Sequence, residues 1–245
     1  MPGSDAPKRI RSVALGLDLG QASDYAALAG VERIQVGGAP PEFNARGVKR
    51  YLLGTSYPAI VADVHRMLAR PEMSEAVLVV DAMGCGAPVV DMFREKGLSP
   101  VAVKVHGGSE ETRDADTGEY RIPKRNLVSG LIVVFQERRI HIAEGTPHIE
   151  DVKSELTQYR VKYSASGHDS YEAWREGDHD DLVFALGLGI WWLLRGVQGG
   201  VRVVRRSAGG AGRSDASGGS DGSGRSGGRG SGCAVRRRDA GPARW

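Results

Sequence analysis

Four aspartates stand where apolar runs of the chain begin or end. Asp18 closes VALGL, Asp81 closes AVLVV, and the adjacent Asp180 and Asp181 open the stretch LVFALGLGIWWLL. Apolar runs of this length read as buried elements, and ligands of open α/β sheets gather at the carboxyl ends of the strands. Carboxylates gathered at such a place repel one another unless a cation neutralises them. Hard oxygen donors of this kind suit Mg²⁺ or Mn²⁺. Two such ions, roughly 3.5 to 4 Å apart, activate a water and stabilise the leaving oxygen at a phosphodiester. Each aspartate also has a plainer use. Asp and Gly are routine turn residues, which covers Asp18 before Gly20 and Asp81 before MGCGAP. Asp180 is equally an N-cap, and an acid such as Asp181 is favoured in a first helical turn. The three places taken together point to metal-assisted chemistry.

The elements that must position these residues alternate between strand and helix. Val13–Leu17 is a buried strand, followed by strands over Tyr25–Val36 and Lys49–Thr55 that would form an antiparallel meander. Pro58–Leu68 has helical spacing, with Ile60, Val61, Val64, Met67 and Leu68 on one side and Pro58 in the first turn. Ala76–Val80 is a second buried strand, then a helix runs from about Pro88 to Lys96, and Val101–Val105 is the next strand. Strand–turn–helix–strand units imply a parallel segment of sheet. His106–Gly118 is polar and reads as a mobile loop. A helix over Pro123–Glu137, a short strand over Arg139–Ala143 and an amphipathic helix over Pro147–Tyr159 follow. The spacing then suggests a hairpin within Arg160–Trp174 and a closing apolar helix over Asp180–Leu194. Trp191 and Trp192, inside that helix, are core residues rather than platforms for bases.

The ordered segments LGLDLG, VVDAMGCGAPVVDMF, PKRNLV and GDHDDLVFALGLGIWW resemble the nuclease domain of phage terminase large subunits. The resemblance runs from about Ser12 to Leu194, and HDDLVFAL with the apolar helix after it is its most specific part. It implies an α/β, ribonuclease H-like mixed sheet flanked by helices. It implies that Asp18, Asp81 and one or both of Asp180 and Asp181 bind two Mg²⁺ or Mn²⁺ ions to cleave double-stranded DNA. Adjacent helical residues point about 100° apart, so one of the pair can bind metal while the other caps or meets a second ion. Basic loops track DNA in the resembling domains, which nominates Lys104, His106, Lys124 and Arg125; ordinary solvated charge is the alternative. His179 stands either by a scissile phosphate or simply on the surface beside the cap. Packaging terminases join such a nuclease to an ATPase motor, and this chain has no G-x-x-x-x-G-K-[ST] loop. A separate terminase ATPase subunit, a small terminase subunit and a portal are the expected partners.

Composition sets the frame. Residues 195–245 carry 11 arginines against 3 aspartates, or +8, which leaves residues 1–194 at −5 of the total +3. The expected organisation is a flexible N-terminus over 1–11, a nuclease domain over 12–196 and a disordered Gly/Ser/Arg-rich tail over 197–245, which has little to bury. The tail either contacts phosphates loosely or only solubilises the chain. Two distant cysteines, Cys85 and Cys233, form no framework and fit a reducing compartment. No secretory signal is evident, and the longest apolar run is too short to span a bilayer. The expected location is therefore the cytoplasm, of a host cell if a phage encodes the chain. Three rivals stand beside this reading. GLDLGQASD also resembles the first phosphate-binding turn of actin-like and sugar-kinase ATPases, although no second Asp-Gly-Gly turn accompanies it. The same carboxylates would serve a resolvase acting on branched DNA. A catalytically dead DNA-binding module is the third.

Overall fold

A computed structural model of the chain describes residues 8–20, 24–165 and 180–196. Those residues fall in one compact unit, Met1–Arg205. The expected disordered tail, the first seven residues and His179 lie outside the described residues.

The first apolar run extends further than its hydrophobic letters suggest. Strand β1 is Arg9–Asp18, and it pairs along its whole length with β2, Ala27–Val36, in antiparallel register. Strand β3 is Glu42–Arg50 and continues the meander. This corrects the third expected strand, placed at Lys49–Thr55. Phe43, Ala45 and Val48 are the residues that bury, whereas Leu52 is 82% exposed and Leu53 49%. Polar letters between the buried positions, and a register shift between Gly30 and Val31, hide the alternation.

Helix α1, Tyr57–Leu68, begins with Pro58 in its first turn and buries Ile60, Val61, Val64 and Leu68. Beyond a 3₁₀ turn at Pro71–Met73 come β4, Val77–Asp81, helix α2, Gly86–Glu95, and β5, Val101–His106. Two short strands follow, β6 at Thr112–Arg113 and β7 at Tyr120–Pro123. The polar segment expected to be a mobile loop thus contains part of a ladder, β6 pairing antiparallel with β7. Helix α3 is Lys124–Gln136, β8 is Ile140–Ile142, α4 is Ile149–Ala165 and α5 is Asp181–Arg195. The start of the expected hairpin, from Arg160 to Ala165, is helical instead. No Gly or Pro interrupts the chain there, so nothing ends the helix begun at Ile149; the rest of that hairpin lies outside the described residues.

The eight strands form one mixed sheet in the order β6-β7-β5-β4-β1-β2-β3-β8. β1, β4, β5 and β7 run parallel, and β2 runs against β1 and β3. This is the α/β mixed sheet flanked by helices that the resemblance implies. Side chains alternate between sheet faces, and the cores show which face is which. Ala14, Ala27, Ala29, Val31, Phe43 and Ala45 pack with α5 on one face, as do Val77, Val79 and Val103. Leu78, one position out of phase, lines a small cleft on the other face with Leu68 of α1 and Leu98.

Twelve of the fifteen residues of α5 are buried, so it is a central helix and not an amphipathic surface one. Its seat on β1 depends on Gly16. A Cβ there would stand 2.0 Å from the carbonyl oxygen of Ala185 and 2.9 Å from the amide nitrogen of Gly189. Helix and strand backbones touch at this point, and only glycine permits it. Trp191 is buried and meets Tyr120 edge-on at 5.4 Å, in keeping with its expected core role.

Candidate functional site

The parity that places Ala14 and Gly16 against α5 places Asp18 there too. β1 and β4 are in parallel register with Leu17 opposite Val80, so Asp18 and Asp81 are the next residues on adjacent strands. Asp81 shares the phase of Val77 and Val79, both in the core that contains Phe184 and Leu188 of α5. The two carboxylates therefore end adjacent strands on the same face and the same edge. The close seat of α5 at Gly16 brings the start of that helix to this edge. Asp180 precedes it and Asp181 is its first residue.

Burial pushes the Asp18 carboxyl well above the ordinary aspartate range, and the charges of Asp81, Asp180 and Asp181 push it further, against Lys124. Burial also raises Asp81 to about 6, opposed by the Met83 backbone N–H, which donates to its Oδ1 at 2.9 Å, and by Lys124. Asp180 is raised by burial, while Lys124, whose Nζ lies 3.6 Å from its Oδ2, opposes the shift. Gly86 keeps the β4–α2 turn tight beneath Asp81, since a Cβ on it would stand 2.0 Å from the Asp81 carbonyl oxygen.

The adjacent pair divides. Asp181 is buried, and Arg50 holds it, Nε to Oδ2 at 2.8 Å and Nη2 to Oδ1 at 3.3 Å. Asp180 is the N-cap residue by backbone position, its carbonyl accepting the Phe184 N–H at 2.8 Å, yet its side chain makes no capping hydrogen bond. The plain use of Asp180 as a side-chain cap is thus not what the structure shows.

Of Lys104, His106, Lys124 and Arg125, the basic candidates among the described residues, Lys124 alone joins the acids. It starts α3 directly after β7, on the same edge, with its ammonium 5.3 Å from the centre of the Phe184 ring. Lys104 and His106 are out of phase with Val103, which faces α5, and so lie on the opposite side of β5. Lys104 Nζ pairs with Glu119 Oε2 at 2.6 Å, and His106 Nδ1 accepts the Gly108 N–H at 3.0 Å. Arg125 donates to the Ser109 carbonyl oxygen at 2.9 Å. These three are not brought to the acidic edge.

Two residues that the sequence did not single out are central. Arg50 ends β3 on the same edge, because Ala27 pairs with Asp18 on one side and with Arg50 on the other. Glu155 on α4 is buried, pairs with Arg50 through Oε1 and accepts the Val183 N–H through Oε2 at 3.0 Å. Burial and then Asp181 raise the Glu155 carboxyl to about 7, against the Val183 N–H and Arg50. An acid three positions beyond Val152, which lies on the apolar stripe of α4, was the available signal.

Raised carboxyl pKa values make a prediction about stability. A group whose folded pKa lies above its unfolded value contributes stability below the unfolded pKa and loses it as pH rises through the folded one. For Asp81 the change from 3.8 to about 6 corresponds to about 3 kcal/mol on full deprotonation. The carboxyl groups shifted the other way, Glu32, Asp63 and Asp114, titrate at or below the ordinary carboxylate range and do not offset this above pH 5. About half of that falls between pH 5 and 7.5, so in EDTA the protein should lose at least roughly 3 to 6 °C of Tm over that window, and Mn²⁺ at pH 7.5 should restore it. Calorimetric scans with and without the ion check this; a Tm flat in pH and unmoved by Mn²⁺ would contradict it.

Among the described residues no three carboxylate, imidazole or thiol groups stand close enough together to enclose a metal ion, and no described helix is long and apolar enough to cross a membrane. No protein-family model and no curated protein sequence matches the chain. Solved structures do. The terminase nuclease domain of human cytomegalovirus, manganese-soaked and inhibitor-bound, is 15% identical over 74% of this chain and 82% of its own, with a TM-score of 0.44. The same domain in another structure is 15% identical over 79% and 86%, with a TM-score of 0.44. The large terminase nuclease of thermophilic phage G20c is 18% identical over 73% of this chain and 81% of its own, with a TM-score of 0.46. The chain is similar to terminase nuclease domains.

Proposed function

We propose that the chain is a metal-dependent endonuclease that cleaves double-stranded DNA, acting in a terminase context. One observation carries this: Asp18, Asp81 and Asp180 end two adjacent strands and open the helix packed on them, at one edge and on one face. Nothing in the packing of the core requires three partly buried acids at one place, and burying them together is costly.

Their donors are hard carboxylate oxygens, which fits Mg²⁺ or Mn²⁺ and not a softer ion. Asp18, Asp81 and Asp180, which do not stand close enough together to enclose an ion in the metal-free chain, would draw in around the metal, two ions in the full arrangement, while Asp181 remains engaged with Arg50. Bound there, the ions would activate the attacking water and neutralise the charge developing on the leaving oxygen. The residues of the chain itself supply the rest. The Met83 N–H fixes the Asp81 carboxylate, and Lys124 places a positive charge beside Asp180, where a phosphate of the backbone would approach.

Purified protein given Mn²⁺ or Mg²⁺ should nick and cut duplex DNA with little sequence preference, and EDTA should stop it. Asp81→Ala should be inactive with an unchanged circular-dichroism spectrum. Cutting that persists in both Asp18→Ala and Asp81→Ala would overturn the assignment. A strong preference for branched over linear DNA would move it to the resolvase class.

A further inference from the structure

The first turn of α5 is capped by another helix. An N-cap aspartate ordinarily accepts the N–H of the second or third helical residue. Here that donor at the third position, the Val183 N–H, goes to Glu155 Oε2 at 3.0 Å, and the Asp180 side chain makes no capping bond. Glu155 is itself held by Arg50, whose Nε and Nη2 also take both oxygens of Asp181. Arg50 in turn lies 5.1 Å from the centre of the Tyr25 ring. One guanidinium thus joins the end of β3, the body of α4 and the start of α5. The result is an aspartate at an N-cap whose carboxylate is left for the acidic edge.

We infer that Glu155 and Arg50 are positioning residues: they cap and anchor the first turn of α5 in place of Asp180, so that Asp180 can face Asp18 and Lys124. The inference takes from the proposed function only the use to which Asp180 is put. Without Glu155, the Val183 N–H has no acceptor and the nearest replacement is the Asp180 carboxylate. Asp180 would then turn back into its own helix and away from Asp18.

A double-mutant cycle on the full chain in EDTA tests this without reference to metal or activity. In the wild-type background Asp180→Ala removes no cap and relieves a repulsion, so Tm should hold or rise. In the Glu155→Ala background Asp180 has become the cap, and Asp180→Ala should lower Tm by about 3 °C. Glu155→Gln keeps an oxygen that can accept the Val183 N–H, so Asp180→Ala should behave there as it does in wild type. An effect of Asp180→Ala that is equal in the wild-type and Glu155→Ala backgrounds overturns the inference. If Glu155→Ala does not fold, hydrogen exchange at the Val183 amide of the wild type decides: slow exchange supports the cap, and exchange as fast as an open amide sinks it. Mn²⁺ titration by calorimetry then links the cap to the site. Glu155→Ala should bind the ion on the order of 10- to 100-fold more weakly, as loss of an outer-shell partner does, and Glu155→Gln should recover most of that loss. Unchanged affinity in Glu155→Ala would reduce Glu155 to a structural cap and overturn its positioning role. A wild-type protein that shows the coupling but binds no Mn²⁺ would leave the positioning of Asp180 standing and remove the nuclease reading.

Discussion

Asp18→Asn should lower metal-dependent DNA cutting by on the order of 10³-fold, since charge stabilisation by a metal is worth several kcal/mol and each 1.36 kcal/mol is tenfold. The same change should raise the Tm of the metal-free protein. Both effects come from one property of the residue. Asp18 ends β1 against α5, where burial and three neighbouring carboxylates oppose its ionisation. At pH 7.5 without metal, a group that ionises freely in the unfolded chain is opposed in doing so here, which costs folding free energy. Asn has nearly the same shape and no charge, so it relieves that cost. It also removes a ligand, so the rise in Tm that Mn²⁺ gives the wild type should shrink in the variant. Paired melting curves in EDTA and in Mn²⁺, with a plasmid-nicking assay, measure all three quantities. A variant that still nicks at the wild-type rate, or one that melts lower in EDTA, would show that Asp18 is an ordinary turn residue.

The second large effect lies at a residue with no chemistry of its own. Gly16→Ala should destabilise the protein by about 3 kcal/mol, the upper part of the usual range for overpacking, which is roughly 6 to 12 °C in Tm for a chain of this size. The added Cβ would stand 2.0 Å from the Ala185 carbonyl oxygen, and that atom belongs to helix backbone, so no side-chain rotation relieves the contact. The helix must lift from the strand. Lifting it carries Asp180 away from Asp18, so cutting should fall further than the lost stability alone explains. Gly38→Ala is the control, because nothing lies within 4 Å of its added Cβ; that change should stay within about 0.5 kcal/mol of wild type. Equal melting temperatures for the two variants would mean that α5 does not sit on β1 as described.

Much of the framework was legible because it is local. Continuous apolar runs such as VALGL and AVLVV read as buried strands by composition alone, and their ends are where Asp18 and Asp81 stand. The closing helix was legible for the same reason, since an apolar stretch from Leu182 to Leu194 has no other place than the centre of a domain. β3 was misplaced by several residues, because its three buried positions are separated by Asn44, Arg46 and Gly47 and the neighbouring ladder changes register between Gly30 and Val31. That error hid Arg50, which only the correct bounds set at the end of a strand.

By themselves, then, the amino acids determined which carboxylates end buried elements, and in what order the elements come. Those are properties of short windows, where hydrophobic burial and turn chemistry act between near neighbours. Tertiary structure alone decided which carboxylates share a face, which basic residues reach them, and which of Asp180 and Asp181 is held by Arg50. Lys104 and Lys124 looked alike in the sequence; one falls on the far side of β5 and the other beside Asp180. The physical reason is separation. Arg50 meets Glu155 across 105 positions and Asp181 across 131, and contacts at that range depend on sheet register and on a helix seated over one glycine, which no local pattern encodes.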